Sequence, residues 1–241
     1  WGENDYGQLG DGSNISKYTP VRAKANLTNI IKVSCGNRHT VALKSDGSVY
    51  TWGDNTYGQL SDNTKGKKLI PVKVLETSNT YVSDAISISA TDNSTNILKR
   101  DGTVIAVGLG TSGQLGDNTN VSKTLPVQVV NTDNTGALSQ IIEIKSGANT
   151  TYALSKEGKV YSWGLGTSGQ LGNNEASNSY MPVVVTNNTV DSDLDNILYI
   201  GAGSNHALAV ENNGYIDAWG LNDKKQLGDA TLATSTIPRY I

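Results

Sequence analysis

Chemistry needs side chains that move protons, donate electron pairs or hold ions, and few such groups stand in a productive pattern here. His39 and His206 each lie eight residues before a glycine, Gly47 and Gly214. Two histidines sharing a metal must converge, whereas equivalent places in separate repeats hold them apart, so both are expected to serve as structural hydrogen-bonding groups. Cys35 is the only cysteine, which leaves no internal disulfide and no cysteine zinc site, and it is expected to be a small buried core residue. Gly116-Asp117-Asn118-Thr119-Asn120 offers oxygen ligands, yet it lacks the following Gly and the Glu of a calcium loop, and Asp117 and Asn118 are expected to cap a turn. Lys65, Lys67 and Lys68 form a small basic cluster that reads as a solvated face. No nucleophile elbow, metalloprotease His pair or phosphate-binding loop occurs, so no catalytic, cofactor-binding or metal-binding residue is predicted, and the chain is not expected to be an enzyme.

The elements that would position any site are set by a repeat. Trp1, Trp52, Trp163 and Trp219 fall in one column, with Val107 filling the gap, at spacings of 51, 55, 56 and 56 residues. Seven residues after each anchor comes Gln, then Leu9, Leu60, Leu115, Leu171 and Leu227, and nineteen after it comes one of the five prolines. Gly47, Gly102, Gly158 and Gly214 lie five residues before an anchor, and Gly36, Gly147 and Gly203 lie eleven earlier again, with Thr91 as the exception. The 241 residues therefore form one repeat domain: a first block at 1–51, repeats at 52–106, 107–162 and 163–218, and a terminal part at 219–241.

Within a repeat, Ile30 to Ser34, Thr40 to Leu43, Ser48 to Trp52 and Pro71 to Leu75 read as four short strands, joined partly by hairpins that put Gly where positive φ is needed. The 26 glycines and frequent β-branched residues leave no stretch with a sustained helical period. A sheet of this size cannot bury both faces alone, so the fold class is all-β, a β-propeller of four-stranded antiparallel blades. Trp1, Trp52, Trp163, Trp219 and the five Leu residues are expected to pack between blades. The net charge of −3 gives no general pull toward nucleic acid, and no apolar run is long enough for a membrane-spanning helix. Six Asn-x-Ser/Thr acceptors, at Asn14, Asn26, Asn93, Asn120, Asn149 and Asn187, are expected in a chain of this composition and do not establish glycosylation.

Trp1-Gly2-Glu3-Asn4-Asp5-Tyr6-Gly7-Gln8-Leu9-Gly10, with Gly36 to Leu43 and Gly47 to Gly53, resembles the repeat of the regulator of chromosome condensation family. The resemblance covers essentially the whole chain and implies a propeller, most often seven-bladed, of which about four to five blades would be present here. Val107 for Trp, Ser61 for the last Gly of Gln-Leu-Gly, Lys225 for the Gly before Gln226 and Thr91 for Gly depart from the pattern. The expected function is a non-catalytic scaffold that binds a protein partner through surface loops, ahead of carbohydrate or small-ligand binding and of guanine-nucleotide exchange, with no cofactor. Asn4, Tyr6, Asn55 and Tyr57 are the candidate contacts, because they recur at fixed geometry on one side of the arc. Composition favours a bacterial, secreted or cell-surface setting, and a chain starting at Trp1 is expected to be a segment of a larger protein whose ring is completed by further sequence or another chain.

Overall fold

The computed structural model describes every residue except Asn26 and Val190, so the acceptor position at Asn26 lies outside the described residues. Among the described residues it has four antiparallel sheets of four strands each. The first comprises β1 (Ile30–Cys35), β2 (His39–Lys44), β3 (Val49–Gly53) and β4 (Lys68–Lys73). The second comprises β5 (Ala85–Ala90), β6 (Ser94–Lys99), β7 (Val104–Gly108) and β8 (Lys123–Gln128). The third comprises β9 (Ile141–Ser146), β10 (Thr150–Ser155), β11 (Val160–Gly164) and β12 (Ser179–Val184). The fourth comprises β13 (Ile197–Ala202), β14 (His206–Glu211), β15 (Ile216–Gly220) and β16 (Ser235–Tyr240). The first strand of each sheet stands against the first strand of the next, which makes β1, β5, β9 and β13 the inner wall of a propeller arc.

Hairpin glycines Gly47, Gly102, Gly158 and Gly214 all take positive φ, between 80° and 90°, a region that is costly for a residue with Cβ. The fourth strand differs from expectation: it begins before the proline and carries Pro71, Pro126, Pro182 or Pro238 as its fourth residue. These are the outermost strands, where a missing N–H removes no ladder bond.

Neighbouring sheets share cores. Val41, Leu43 and Val49 of the first pack with Ala85, Ile88 and Ile97 of the second, and the next two junctions repeat the arrangement around Trp163 and Trp219. The indoles also lock the junctions by direction. Trp52 Nε1 donates to the Gln8 carbonyl at 2.8 Å, Trp163 to Gln114 at 3.2 Å and Trp219 to Gln170 at 3.0 Å, each in the preceding repeat. The ring then lies so close to Gly10, Gly116 and Gly172 that a Cβ there would sit 2.8, 3.0 and 2.7 Å from the indole nitrogen. Where Val107 replaces Trp, Ser61 replaces this glycine, and the Gln59 carbonyl accepts from Thr95 Oγ1 at 2.8 Å, the bond that Thr40 makes to Gln8 at 2.9 Å beside the Trp52 bond. Two departures from the repeat are thus one compensated pair.

Thr91 belongs to a second pair. A Cβ at Gly36 or Gly203 would run into the ring of His39 or His206, but opposite Thr91 stands Ser94, whose hydroxyl meets Thr91 Oγ1 at 2.7 Å. Leu60, Leu115, Leu171 and Leu227 are fully buried, as are Trp163 and Trp219. Trp1 is the correction in its column: it is 73 % exposed, because among the described residues no neighbouring repeat stands beside it, as the Gln8 to Gly10 loop stands beside Trp52. Val33 is 55 % exposed for the same reason, although Ile88, Ile144 and Ile200 at its position are buried.

Candidate functional interface

The inner turns and the loops between third and fourth strands share one end of the arc. Backbone bonds tie them together: Asp54 N to Arg38 O, Leu109 N to Asn93 O, Leu165 N to Asn149 O and Leu221 N to Asn205 O, all at 2.8 to 2.9 Å. A second series runs from blade to blade, with Asn37 N bonded to Asp92 O at 3.1 Å, Asp92 N to Ala148 O at 2.7 Å and Ala148 N to Ser204 O at 3.0 Å. This end is therefore a cross-braced platform, on which side chains can present a fixed surface.

Each loop is held by its own polar residues. Gln8 and Gln59 accept from Tyr6 N and Tyr57 N at 3.0 and 2.9 Å. Asn4 and Asn55, expected at the partner surface, lie fully buried. Asn55 Oδ1 accepts from Leu60 N at 3.0 Å, while its Nδ2 donates to Asp62 Oδ1 at 2.9 Å and Thr64 O at 3.0 Å. Asn4 repeats this with Leu9 N, Asp11 and Ser13 O, and Asn222 with Leu227 N, Asp229 and Thr231 O. Both expected contacts are loop clasps, because a buried amide surrounded by donors and acceptors has no capacity left for a partner.

Tyr6 and Tyr57 retain accessible surface. Arg38, which sequence reasoning did not select, joins them: its guanidinium lies 4.5 Å from the Tyr6 ring centre, and Nη1 donates to the Tyr6 hydroxyl at 3.0 Å. The other turns carry Asn93, Asn149 and Asn205 in that column, so the single cation marks the first blade. Nearby, Cys35, Asp92, Ser146 and Ser204 line an open depression of about 350 Å³ around the inner wall, and a second of about 250 Å³ shares Cys35 and reaches Trp1 and Glu3. Cys35 is thereby exposed, contrary to its expected place in the core; it ends an inner strand beside the axis. Burial pushes the Asp92 carboxyl upward.

The remaining chemical candidates are absorbed by structure. Asp117 accepts from Thr119 N at 3.1 Å, a turn cap. Lys68 pairs with Asp62 at 2.7 Å, and Lys67 reaches the Asp5 carbonyl at 3.2 Å. Among the described residues no group of three or more His, Cys, Asp or Glu side chains converges as a metal centre. His39 is buried between the first and second sheets with Nε2 3.1 Å from Thr95 Oγ1, and desolvation lowers its pKa to about 4 despite the opposing field of Asp54. His206, in the last of the described sheets, is only half-buried.

His39 predicts an acid sensitivity. A folded-state pKa below the ordinary value of 6.5 means that the neutral ring contributes stability above pH 6.5, and this is lost as pH falls toward 4. Relative to His39→Gln, the wild type should lose about 3 kcal/mol between pH 7 and 4, at 1.36 kcal/mol per pKa unit. Urea titrations with parallel pH profiles for the two proteins would refute this.

A family model described as the RCC1-like domain matches residues 1–241. Human E3 ubiquitin-protein ligase HERC2 is 32 % identical over 244 positions, covering 100 % of this chain and 5 % of HERC2. The fold matches human WBSCR16 at a TM-score of 0.82 and 22 % identity, covering 99 % of this chain and 60 % of that one. It matches Saccharomyces cerevisiae Prp20p at 0.77 and 23 %, covering 96 % and 55 %, and that structure is described together with binding of Prp20p to Gsp1p and histones. The chain thus spans a small part of HERC2 and little more than half of the two solved chains.

These relatives correct two expectations. The order that put loop-mediated scaffolding first, carbohydrate binding second and guanine-nucleotide exchange last is overturned by Prp20p and its binding to Gsp1p. The extracellular or cell-surface setting is overturned by the same relative, and the relatives named here are human and yeast, which gives a bacterial source no support. The Ser, Thr and Asn content that suggested that setting has an internal cause: these side chains clasp loops, as Thr64 does on Asp62 at 2.7 Å.

Proposed function

We propose that this chain, which belongs to the RCC1-like domain family, docks a small GTPase at the braced end of its propeller and promotes release of the bound guanine nucleotide. The observation that carries the reading is the family match across all 241 residues, joined to a fold shared with Prp20p. The domain is an interaction module and not an enzyme in the covalent sense. Exchange requires only that it bind the nucleotide-free GTPase more tightly than the loaded form. The four complete blades and the outer part of a fifth would belong to a larger ring, closed by seven. Tyr6, Tyr57 and Arg38 supply the central contacts: aromatic rings and a guanidinium are the side chains that most often dominate protein interfaces.

The test is release of a fluorescent GDP analogue from a Gsp1p-type GTPase with and without the chain. The wild type should accelerate release, and Tyr6→Ala/Tyr57→Ala should weaken binding to the nucleotide-free GTPase about thirtyfold, or roughly 2 kcal/mol, with an unchanged circular dichroism spectrum. Absence of binding to the GDP-bound, GTP-bound and nucleotide-free forms alike would overturn the reading.

A further inference from the structure

At the opposite end of the arc the inner wall opens differently. Strands β1, β5, β9 and β13 all run toward the braced end, so their first residues mark the other mouth of the axial space. Each skips one residue in its pairing there: Ile30 pairs with Lys44 and Lys32 with Leu43, which leaves Ile31 unpaired, and the same shift leaves Ile86, Ile142 and Leu198 unpaired. A bulge of this kind re-aims the unpaired side chain. Ile31, Ile86, Ile142 and Leu198 are 40 to 62 % exposed, although Ala85, Ile141 and Ile197 immediately before the last three are buried in the blade cores. Aliphatic side chains in succession around one mouth form a collar, which is more than the isolated exposed apolar residues normal on a surface.

The next row inward carries charge. Lys32, Ser87, Glu143 and Tyr199 follow the collar residues on the four strands. The Lys32 ammonium reaches across the blade junction and donates to Ser87 Oγ at 2.7 Å, and among the described residues it pairs with no carboxylate. Glu143 is taken by Lys145, two residues along its own strand, at 2.9 Å. Lys32 is half-buried, and desolvation, with Lys145 close enough to oppose it, holds its pKa below the usual lysine range against the weaker pull of Glu143. A cation without a counter-ion in such a place favours an arriving anion. The Ser87 hydroxyl, which accepts from Lys32, still has its own hydrogen to donate.

We infer that this mouth binds the C-terminus of a partner polypeptide: its last aliphatic side chains lie on the collar, and its α-carboxylate accepts from the Lys32 ammonium and the Ser87 hydroxyl. Charge selects a carboxylate, and the apolar surface adjoining the cation selects one carried by an aliphatic residue. A long acyl chain is a poorer fit, because it needs an enclosed tunnel, whereas the collar lies open and can cover only short branched side chains. The site stands at the far end from the proposed GTPase contacts and does not depend on them.

Isoleucine-methyl NMR of the chain with N-acetyl-Leu-Leu as the probe tests the site. The free acid should move the δ1 methyl signals of Ile31, Ile86 and Ile142, with Kd on the order of 1 mM, and the C-terminal amide of the same dipeptide should bind about tenfold more weakly. Lys32→Gln should bring the acid down to the affinity of the amide, while Ile86→Thr, which keeps a β-branched residue in the strand, should weaken both probes. No methyl shift with up to about 20 mM acid overturns the site, as does equal binding of acid and amide by the wild type, a comparison that needs no variant to fold. A Lys32→Gln protein that keeps the tenfold preference would remove the cation from the site and overturn it too. Octanoate binding as tightly as the dipeptide would show that any aliphatic acid suffices, and would overturn the assignment to a polypeptide.

Discussion

Trp163→Ala should lower stability by about 3 to 5 kcal/mol, while Trp1→Ala, in the same sequence column, should change it by no more than roughly 0.5. Trp163 is fully buried among Leu115, Val129 and Ile144, so removing its ring opens a cavity that the rigid sheets on either side cannot close. The truncation also strips the Gln114 carbonyl of its indole partner. Trp1 is mostly exposed and makes no comparable junction. Guanidinium denaturation of the two variants measures the difference directly. Equal midpoints would mean that sequence column, and not burial between blades, governs the contribution of these indoles.

The second large effect concerns the compensated pair at the first junction. Val107→Trp alone should destabilise the protein by about 1 to 3 kcal/mol, because the new indole must enter space occupied by Ser61. Ser61→Gly alone removes the Oγ bond to the Leu75 carbonyl at 2.8 Å, while a glycine adopts the observed φ of 54° without strain. Combined, the two changes recreate the Gly-and-Trp arrangement of Gly116 with Trp163 and of Gly172 with Trp219. The double variant should recover most of the loss, with a coupling energy of at least about 1 kcal/mol. Strictly additive effects in the four-protein cycle would show that the residues do not share that space.

Much of this architecture is legible in the chain itself. Strand identity and order follow from the period and from hairpin glycines whose role is local, so Gly47 and its equivalents report their own backbone. The outer strand is less legible, because a proline reads as a boundary unless the strand is known to be the edge one, as β4 is. The Trp column is legible as packing but not as a directed bond, since Trp163 Nε1 and the Gln114 carbonyl are 49 residues apart. Compensation is hidden for the same reason: Ser61 and Val107 look like independent departures until the fold brings the two positions together. At the interface, Asn4 and Asn55 read as contacts because loop amides usually face water. Their clasp does carry a signal, an Asp seven residues later in Asn4 with Asp11, Asn55 with Asp62 and Asn222 with Asp229. Arg38 carries none, because its stacking on Tyr6 joins two blades.

The indole bonds also impose a schedule on synthesis. Gln114 closes its loop with local bonds, but its carbonyl stays uncapped until Trp163, 49 residues later, has left the ribosome, whereas the Gln170 carbonyl already holds the Tyr152 hydroxyl at 2.8 Å and gains Trp219 as a second donor. At roughly 5 to 20 residues per second, that interval is about 2 to 10 s. Each blade of the nascent chain therefore completes its packing one repeat behind the point of elongation, with the forward face of the newest sheet bare throughout the delay. A pause in translation just before a Trp codon would prolong that exposure, whereas one just after the next sheet has emerged would not.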